Sequence, residues 1–292
     1  MMFFDPNITL VFRDLLPWAG ELFRVITELG SEYFYIGLIL VGFWTFKKRE
    51  SIILAIVLLI GFVSNYILKT MIANPRPDPS YWYPGVEEVN YSTPSNHAQL
   101  AATLYSWFSL KIRTWWMLLI SIILPFLIGI SRIYLGVHYL EDVILGWAVG
   151  IGVAILLFYL QEPLANQFTK YKEEYLYTSM FFLGLILTIL LTYVFLPPSD
   201  DNFGSTGGLI MGAAVGLYLE KRYVNFDVEP NSGQKWRLVL RALLGLIFVV
   251  LLLFGLGPLL PSEEIWLRTL RYTIVVIFGV FLWPLIFKKI GL

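Results

Sequence analysis

The chain has 292 residues, of which 58% are hydrophobic and only 14% charged, with 21 basic residues balanced by 21 acidic ones. An ordinary soluble domain carries about 25% charged residues, so this composition excludes a disordered chain, a coiled coil and a typical soluble enzyme. The zero net charge leaves no electrostatic footprint for nucleic acid, and the absence of cysteine removes disulfides, thiolate metal sites and a Cys nucleophile.

The N-terminus, MMFFDPNITLVFRDLL, lacks the basic region and small-residue cleavage site of a signal peptide. The mature chain is therefore expected to begin at or near Met1. Residues 8–29 read as an amphipathic helix lying in the membrane interface. Phe12, Leu15, Leu16, Leu22, Phe23 and Ile26 share one face, and Arg13, Asp14, Glu21, Arg24 and Glu28 occupy the rest. Apolar runs then follow at 33–46, 51–70, 97–110, 114–131, 139–161, 176–196, 204–220, 238–260 and 266–287. With a mean hydropathy of +0.71, they predict an all-α, polytopic membrane bundle of about nine transmembrane helices. The third run is short, and the ninth contains Arg268 and Arg271.

Basic residues set the expected orientation. Alternate connections hold Lys47, Lys48, Arg49, Lys111, Arg113, Lys170, Lys172, Lys221, Arg222, Lys235, Arg237, Lys288 and Lys289, which is 13 of the 21. The connections at 197–203 and 257–264 hold none. The rule places the N-terminus outside and the C-terminus in the cytoplasm.

Two of the outside connections carry polar groups with no solubility rationale. The first runs from Lys69 at the end of the second span through Arg76-Pro77, and closes with Pro94-Ser95-Asn96-His97 where the third begins. The second holds Ser131-Arg132, His138 and Asp142. Singly, each has a bland reading. Lys69 at a helix end would snorkel to the interface. Ser95 or Asn96 would cap the third span, with Gln99 completing a capping box. A lone His is commonly structural. Together, the two histidines of the chain stand beside three of its seven outside cations, and the spacing has a chemical reason. His138 and Asp142, at i and i+4, stack on one helix face, so a carboxylate holds one ring nitrogen and aims the other outward as a nucleophile. Lys69, Arg76 and Arg132 can surround a phosphoryl group. The start of the third span offers backbone amides at Ser95–His97, and His97 there can donate a proton to a leaving oxygen.

These three motifs, K-x6-RP, PS-x-H and SR-x5-H-x3-D, resemble the signature of the type 2 phosphatidic acid phosphatase (PAP2) superfamily over about residues 8–161, down to the stretches ITELGS (26–31) and SRIYLGVH (131–138). The resemblance implies His138 as a nucleophile forming a phosphohistidine, Asp142 as its orienter and His97 as general acid. It implies Lys69, Arg76, Ser95 and Arg132 as phosphate ligands, with no metal and no cofactor. Asn96 stands where the family motif has Gly; Asn tolerates left-handed backbone and adds an amide donor, so it joins the expected phosphate contacts. Because the chain opens with the amphipathic segment, the first span of the usual six-span core is expected to be missing. The expected organisation is a PAP2-like core over 1–161 and a four-span membrane extension over 162–292, about which the motifs say nothing.

The expected function is an integral membrane lipid phosphatase that hydrolyses a lipid phosphate monoester or diphosphate at the extracytoplasmic face. The alternatives are a lipid phosphotransferase using the same site, or a non-enzymatic lipid-binding or transport protein, which an intact motif disfavours. Expected partners are the lipid phosphate or diphosphate and membrane lipids, with no nucleic acid. Gly146 and Gly150, and Gly208, Gly212 and Gly216, are spaced for close helix packing, within one chain or across a homodimer seam. Tyr81, Trp82, Tyr83 and Tyr91 are expected as interfacial aromatics or as the lip of a lipid entrance, and Glu87 and Glu88 as solvated loop charges.

Overall fold

The computed structural model describes residues 4–193, 202–228, 234–261 and 263–292. Residues 197–201, part of the connection without basic residues, lie outside this set. Among the described residues all regular structure is helical: α1 (Asn7–Leu15), α2 (Gly20–Glu28), α3 (Glu32–Thr45), α4 (Lys48–Ile72), α5 (Asn96–Ile112), α6 (Trp115–Tyr134), α7 (Leu140–Phe168), α8 (Glu173–Tyr193), α9 (Asn202–Leu219), α10 (Trp236–Gly255), α11 (Ile265–Ile277) and α12 (Trp283–Lys289). Short π segments follow α9 and join α11 to α12.

Among the described residues six helices, with α11 to α12 taken as one, are long and apolar enough to cross a membrane, or seven if the α2–α3 pair, bent by 45°, is a single span. By length and composition, the described helices do not confirm the expected count of about nine. At 1.5 Å per residue, α3 with 14 residues and α5 with 17 extend roughly 21 and 26 Å, short of the ~30 Å hydrocarbon core. α9 is diluted by glycine, Ser205 and Thr206.

The chain divides into two compact units: Met1–Ile36 with Ile53–Pro163, and Gly37–Ile52 with Leu164–Leu292. In the first, α5 is the enclosed helix, buried continuously from Ala98 to Tyr105. That enclosure lets a short helix carry Gln99 and Thr103, whose polar groups are satisfied internally: Gln99 Nε2 donates to Gly61 O at 2.8 Å, and Thr103 Oγ1 to Gln99 O at 2.9 Å. α7 lies tight against α5, because a methyl group at Gly150 would come 2.3 Å from Gln99 O.

The amphipathic segment is two helices of nine residues each. Pro17 interrupts it, lacking the N–H for the helical bond to Arg13 and clashing with that carbonyl. Nor does the segment only lie in an interface. Phe23 packs on Tyr134 of α6 with ring centroids 4.7 Å apart, and Phe12, Leu16 and Ile26 cover the same cluster. Leu15, Trp18, Leu22 and Val25 point outward and are exposed. Thr9 Oγ1 donates to Ile133 O at 2.9 Å and Arg13 Nε to Tyr134 O at 3.0 Å, which fastens α1 to the end of α6.

In the second unit the glycine row of α9 is covered by α11. Methyl groups at Gly208 and Gly212 would come 2.4 and 2.7 Å from Thr269 O and Thr273 O. Lys48 Nζ donates to Glu220 at 2.7 Å. Arg241 is buried, donating to Val228 O at 2.8 Å and Leu292 O at 2.7 Å.

Candidate active site

The site lies within the first unit, where three stretches of chain meet: the end of α4 with its following loop, the start of α5, and the turn from α6 into α7. That turn is tight. Gly136 has φ +76°, and a methyl group there would stand 2.0 Å from Tyr81 O, so glycine is required both for the left-handed backbone and for the close approach. Leu135 N donates to Ser131 O at 2.8 Å and Val137 N to Arg132 O at 3.3 Å, which fixes His138 relative to Arg132.

His138 and Asp142 meet, although not on a helix face. His138 precedes α7, and Asp142 in its first turn reaches back to accept from Tyr139 N at 2.9 Å, as a third-position acid does in a capping box. The same carboxylate oxygen lies 3.2 Å from His138 Nδ1. Asp142 has no exposed surface, and Ser92 Oγ and Thr93 Oγ1 donate to its two oxygens. Ser95 N also donates to Asp142 O at 3.0 Å, which ties the start of α5 to that of α7.

The other ring nitrogen faces a cation: Arg76 Nη1 is 3.0 Å from His138 Nε2. A guanidinium only donates, so Nε2 must accept, and the proton of the neutral ring sits on Nδ1 toward Asp142. Burial first, then Arg76, Lys69 and Arg132, push the His138 pKa well below its ordinary value, against the raising influence of Glu88. The ring is held neutral with its lone pair outward.

Arg76 is clamped further, donating from Nε to Asn90 O at 2.7 Å and from Nη1 to Val137 O at 2.8 Å, and also to Asn90 Oδ1. Lys69 does not snorkel. It is 3% exposed, and its ammonium donates to Asn90 Oδ1 and Ser92 O, both at 3.3 Å, and to Tyr91 O. Arg132 donates to Thr27 Oγ1 at 3.1 Å.

Glu88 is not a solvated charge. Its carboxylate bridges Arg76 Nη2, at 3.0 Å, and Arg132 Nη2. Glu87 beside it is exposed.

At the start of α5, Ser95 occupies the cap position without making a side-chain cap bond, and Gln99 turns to Gly61, Ser64 and Asn65, so the expected capping box does not form. Ser95 Oγ, Asn96 Oδ1 and Arg132 Nε are buried without a hydrogen-bond partner. His97 takes no part in the hydrogen-bonded network; its Cδ2 lies 3.2 Å from where a β-carbon on Gly30 would stand. Among the described residues no group of three His, Cys, Asp or Glu is placed to hold a metal ion.

Comparison with known proteins gives this constellation its family. Residues 50–166 match the PAP2 superfamily, and residues 204–292 match the transmembrane extension of PAP2 superfamily phosphatases. A phosphatidylglycerophosphatase B of Bacillus subtilis is 30% identical over 54% of this chain and 81% of its own. The chain belongs to the PAP2 superfamily. An undecaprenyl-diphosphatase of Sulfolobus acidocaldarius is 31% identical over 50% of this chain and 73% of its own. A sphingosine-1-phosphate phosphatase 1 of Mus musculus is 30% identical over 72% of this chain, which spans half of that relative's length. These PAP2 relatives are lipid phosphatases, and this PAP2 chain is a membrane protein with several candidate spans. The second match gives the C-terminal residues a PAP2 association that the three motifs could not.

The motifs singled out Lys69, Arg76, Ser95, Asn96, His97, Arg132, His138 and Asp142, and missed Glu88, Asn90, Ser92 and Thr93. These four sit in an irregular loop where Asn, Ser and Thr read as turn formers. No local signal in the sequence marks them, because the burial of Lys69 and Arg76 that calls for acceptors shows only in the fold.

Proposed function

We propose that this protein is a lipid-phosphate phosphohydrolase working through a phosphohistidine on His138, with residues 1–161 as its catalytic core. The supporting observation is the tautomer of His138: Arg76 on Nε2 and Asp142 on Nδ1 leave a lone pair on the nitrogen that faces the cations.

In this reading a terminal phosphate enters between Arg76, Arg132 and Lys69, with the Ser95 hydroxyl, the Asn96 amide and the first amides of α5 completing its seat. Nε2 attacks phosphorus, and the bond to the leaving oxygen breaks as the N–P bond forms. Asp142 stabilises the ring as it becomes positive. His97 gives the leaving oxygen its proton, then takes one from the water that hydrolyses the phosphohistidine. No step calls for a divalent metal. The basic-residue tally supports a site open to the extracytoplasmic side.

The names of the relatives span phospholipid, prenyl diphosphate and sphingoid phosphate substrates, which supports a lipid carrying a terminal phosphate. The test is phosphate release from such a panel by purified protein, with and without a chelator. Wild type is expected to act in the presence of chelator, and His138→Ala to be inert on every substrate. Activity that returns only with added magnesium, or survives in His138→Ala, contradicts the proposal.

A further inference from the structure

The phosphate seat already contains an anion. The Glu88 carboxylate places one oxygen on Arg76 and the other on Arg132, as two non-bridging phosphate oxygens would be placed. The arginine side chains are 7% and 4% exposed and that of Glu88 20%. Burial by itself would raise the pKa of the Glu88 carboxyl, but Arg132 and then Arg76 outweigh it and hold the group well below the usual carboxylate range. Its charge is therefore present at any working pH.

Glu88 belongs to no helix. It stands in an irregular stretch between Gly85, at φ +77°, and Ser92, with exposed neighbours on both sides. Moving it out requires no helix to unwind.

We propose that Glu88 is a specificity-determining residue that sets the charge threshold of the phosphate seat. Its single negative charge holds the place between Arg76 and Arg132 and yields it to a terminal phosphate bearing two, but not to a phosphodiester bearing one. The proposal rests on the reading that these arginines hold the substrate phosphate. Every entering anion meets the same penalty for displacing Glu88. A phosphate monoester carries −1.5 to −2 at neutral pH with three acceptor oxygens, and its attraction to the guanidinium pair is roughly doubled. A diester has no charge advantage over a carboxylate already tethered at an effective millimolar concentration or above. The device matters in a bilayer, where diester headgroups surround the site in great excess over any monophosphate.

The experiment uses the full-length protein in detergent, with competitive inhibition of lipid-monophosphate hydrolysis by inorganic phosphate and by dimethyl phosphate. Wild type should be inhibited by phosphate and not measurably by the diester. In Glu88→Gln and Glu88→Ala, the Ki for phosphate should fall about tenfold or more, and dimethyl phosphate should become an inhibitor. In Glu88→Ala, added acetate should raise both Ki values again by refilling the seat, which a merely structural carboxylate would not do. Ki values unchanged or increased in both variants, with wild-type thermal unfolding, overturn the proposal. If instead wild type ignores phosphate and vanadate, and Arg132→Ala alters neither, the reading of the seat itself fails and takes the Glu88 proposal with it.

Discussion

Arg76 Nη1 stands 3.0 Å from His138 Nε2, a cation against the one ring nitrogen that must keep its lone pair. The contact fixes the tautomer and opposes protonation of the ring.

The protonation state is directly observable. Because burial and three cations depress the folded pKa of His138, the neutral form persists as pH falls below the ordinary 6.5. In a protein labelled at its two histidines, NMR titration should give a His138 midpoint below 6.5 and ring shifts of the Nδ1–H tautomer. The signal is assigned by its absence in His138→Ala. An ordinary midpoint, or the Nε2–H tautomer, contradicts the geometry.

Asp142 and its two hydroxyl donors should act through the ring. Asp142→Asn turns an acceptor into a mixed group that disfavours the Nδ1–H tautomer, and kcat should fall about 10³- to 10⁴-fold, as in hydrolase triads. Ser92→Ala and Thr93→Val each remove a hydrogen bond to a buried carboxylate, worth about 1.5–3 kcal/mol, and should lower kcat about 10- to 100-fold. Changes confined to KM would assign these groups to binding instead.

The two histidines should separate by leaving group. His97→Ala should cost roughly 100- to 10,000-fold on a lipid monophosphate, whose alkoxide needs a proton, and much less on p-nitrophenyl phosphate. His138→Ala should abolish both. Equal losses for His97→Ala on the two substrates would make His97 a phosphate ligand and not the acid.

Sidedness is tested on the cysteine-free background. Ser80 and Lys170 are both exposed and fall on opposite sides by the basic-residue rule. Cysteine at position 80 should react with an impermeant reagent in intact cells, and cysteine at 170 only after lysis. The reverse result inverts the topology and the leaflet of the substrate.

What could be read from the sequence followed from short-range geometry. The spacing of His138 and Asp142 lets them meet at the first turn of a helix as well as along its face. The i, i+4 glycines of α9 imply a close neighbour without naming α11. Long-range partners were not legible: Thr93 and Asp142 are 49 residues apart, and Glu88 and Arg132 are 44 apart, with no periodicity joining them. Glu88 misled because a Glu in a polar loop is ordinarily solvated, and nothing local shows that two arginines converge on it. The span count was hard to read for another reason. Hydropathy cannot distinguish α5, apolar because protein encloses it, from a helix that faces lipid.

The proposed mechanism passes through a covalent bond from phosphorus to His138 Nε2. Wild-type protein should be mixed with a ³²P-labelled lipid monophosphate, quenched in alkali within milliseconds to seconds, and analysed by electrophoresis and peptide mapping. A label is expected on the peptide containing His138, stable to alkali, labile to acid, chased by excess unlabelled substrate, absent in His138→Ala and increased in His97→Ala with an activated substrate. Turnover with no such label in wild type, or a label that persists in His138→Ala, would contradict the proposed mechanism.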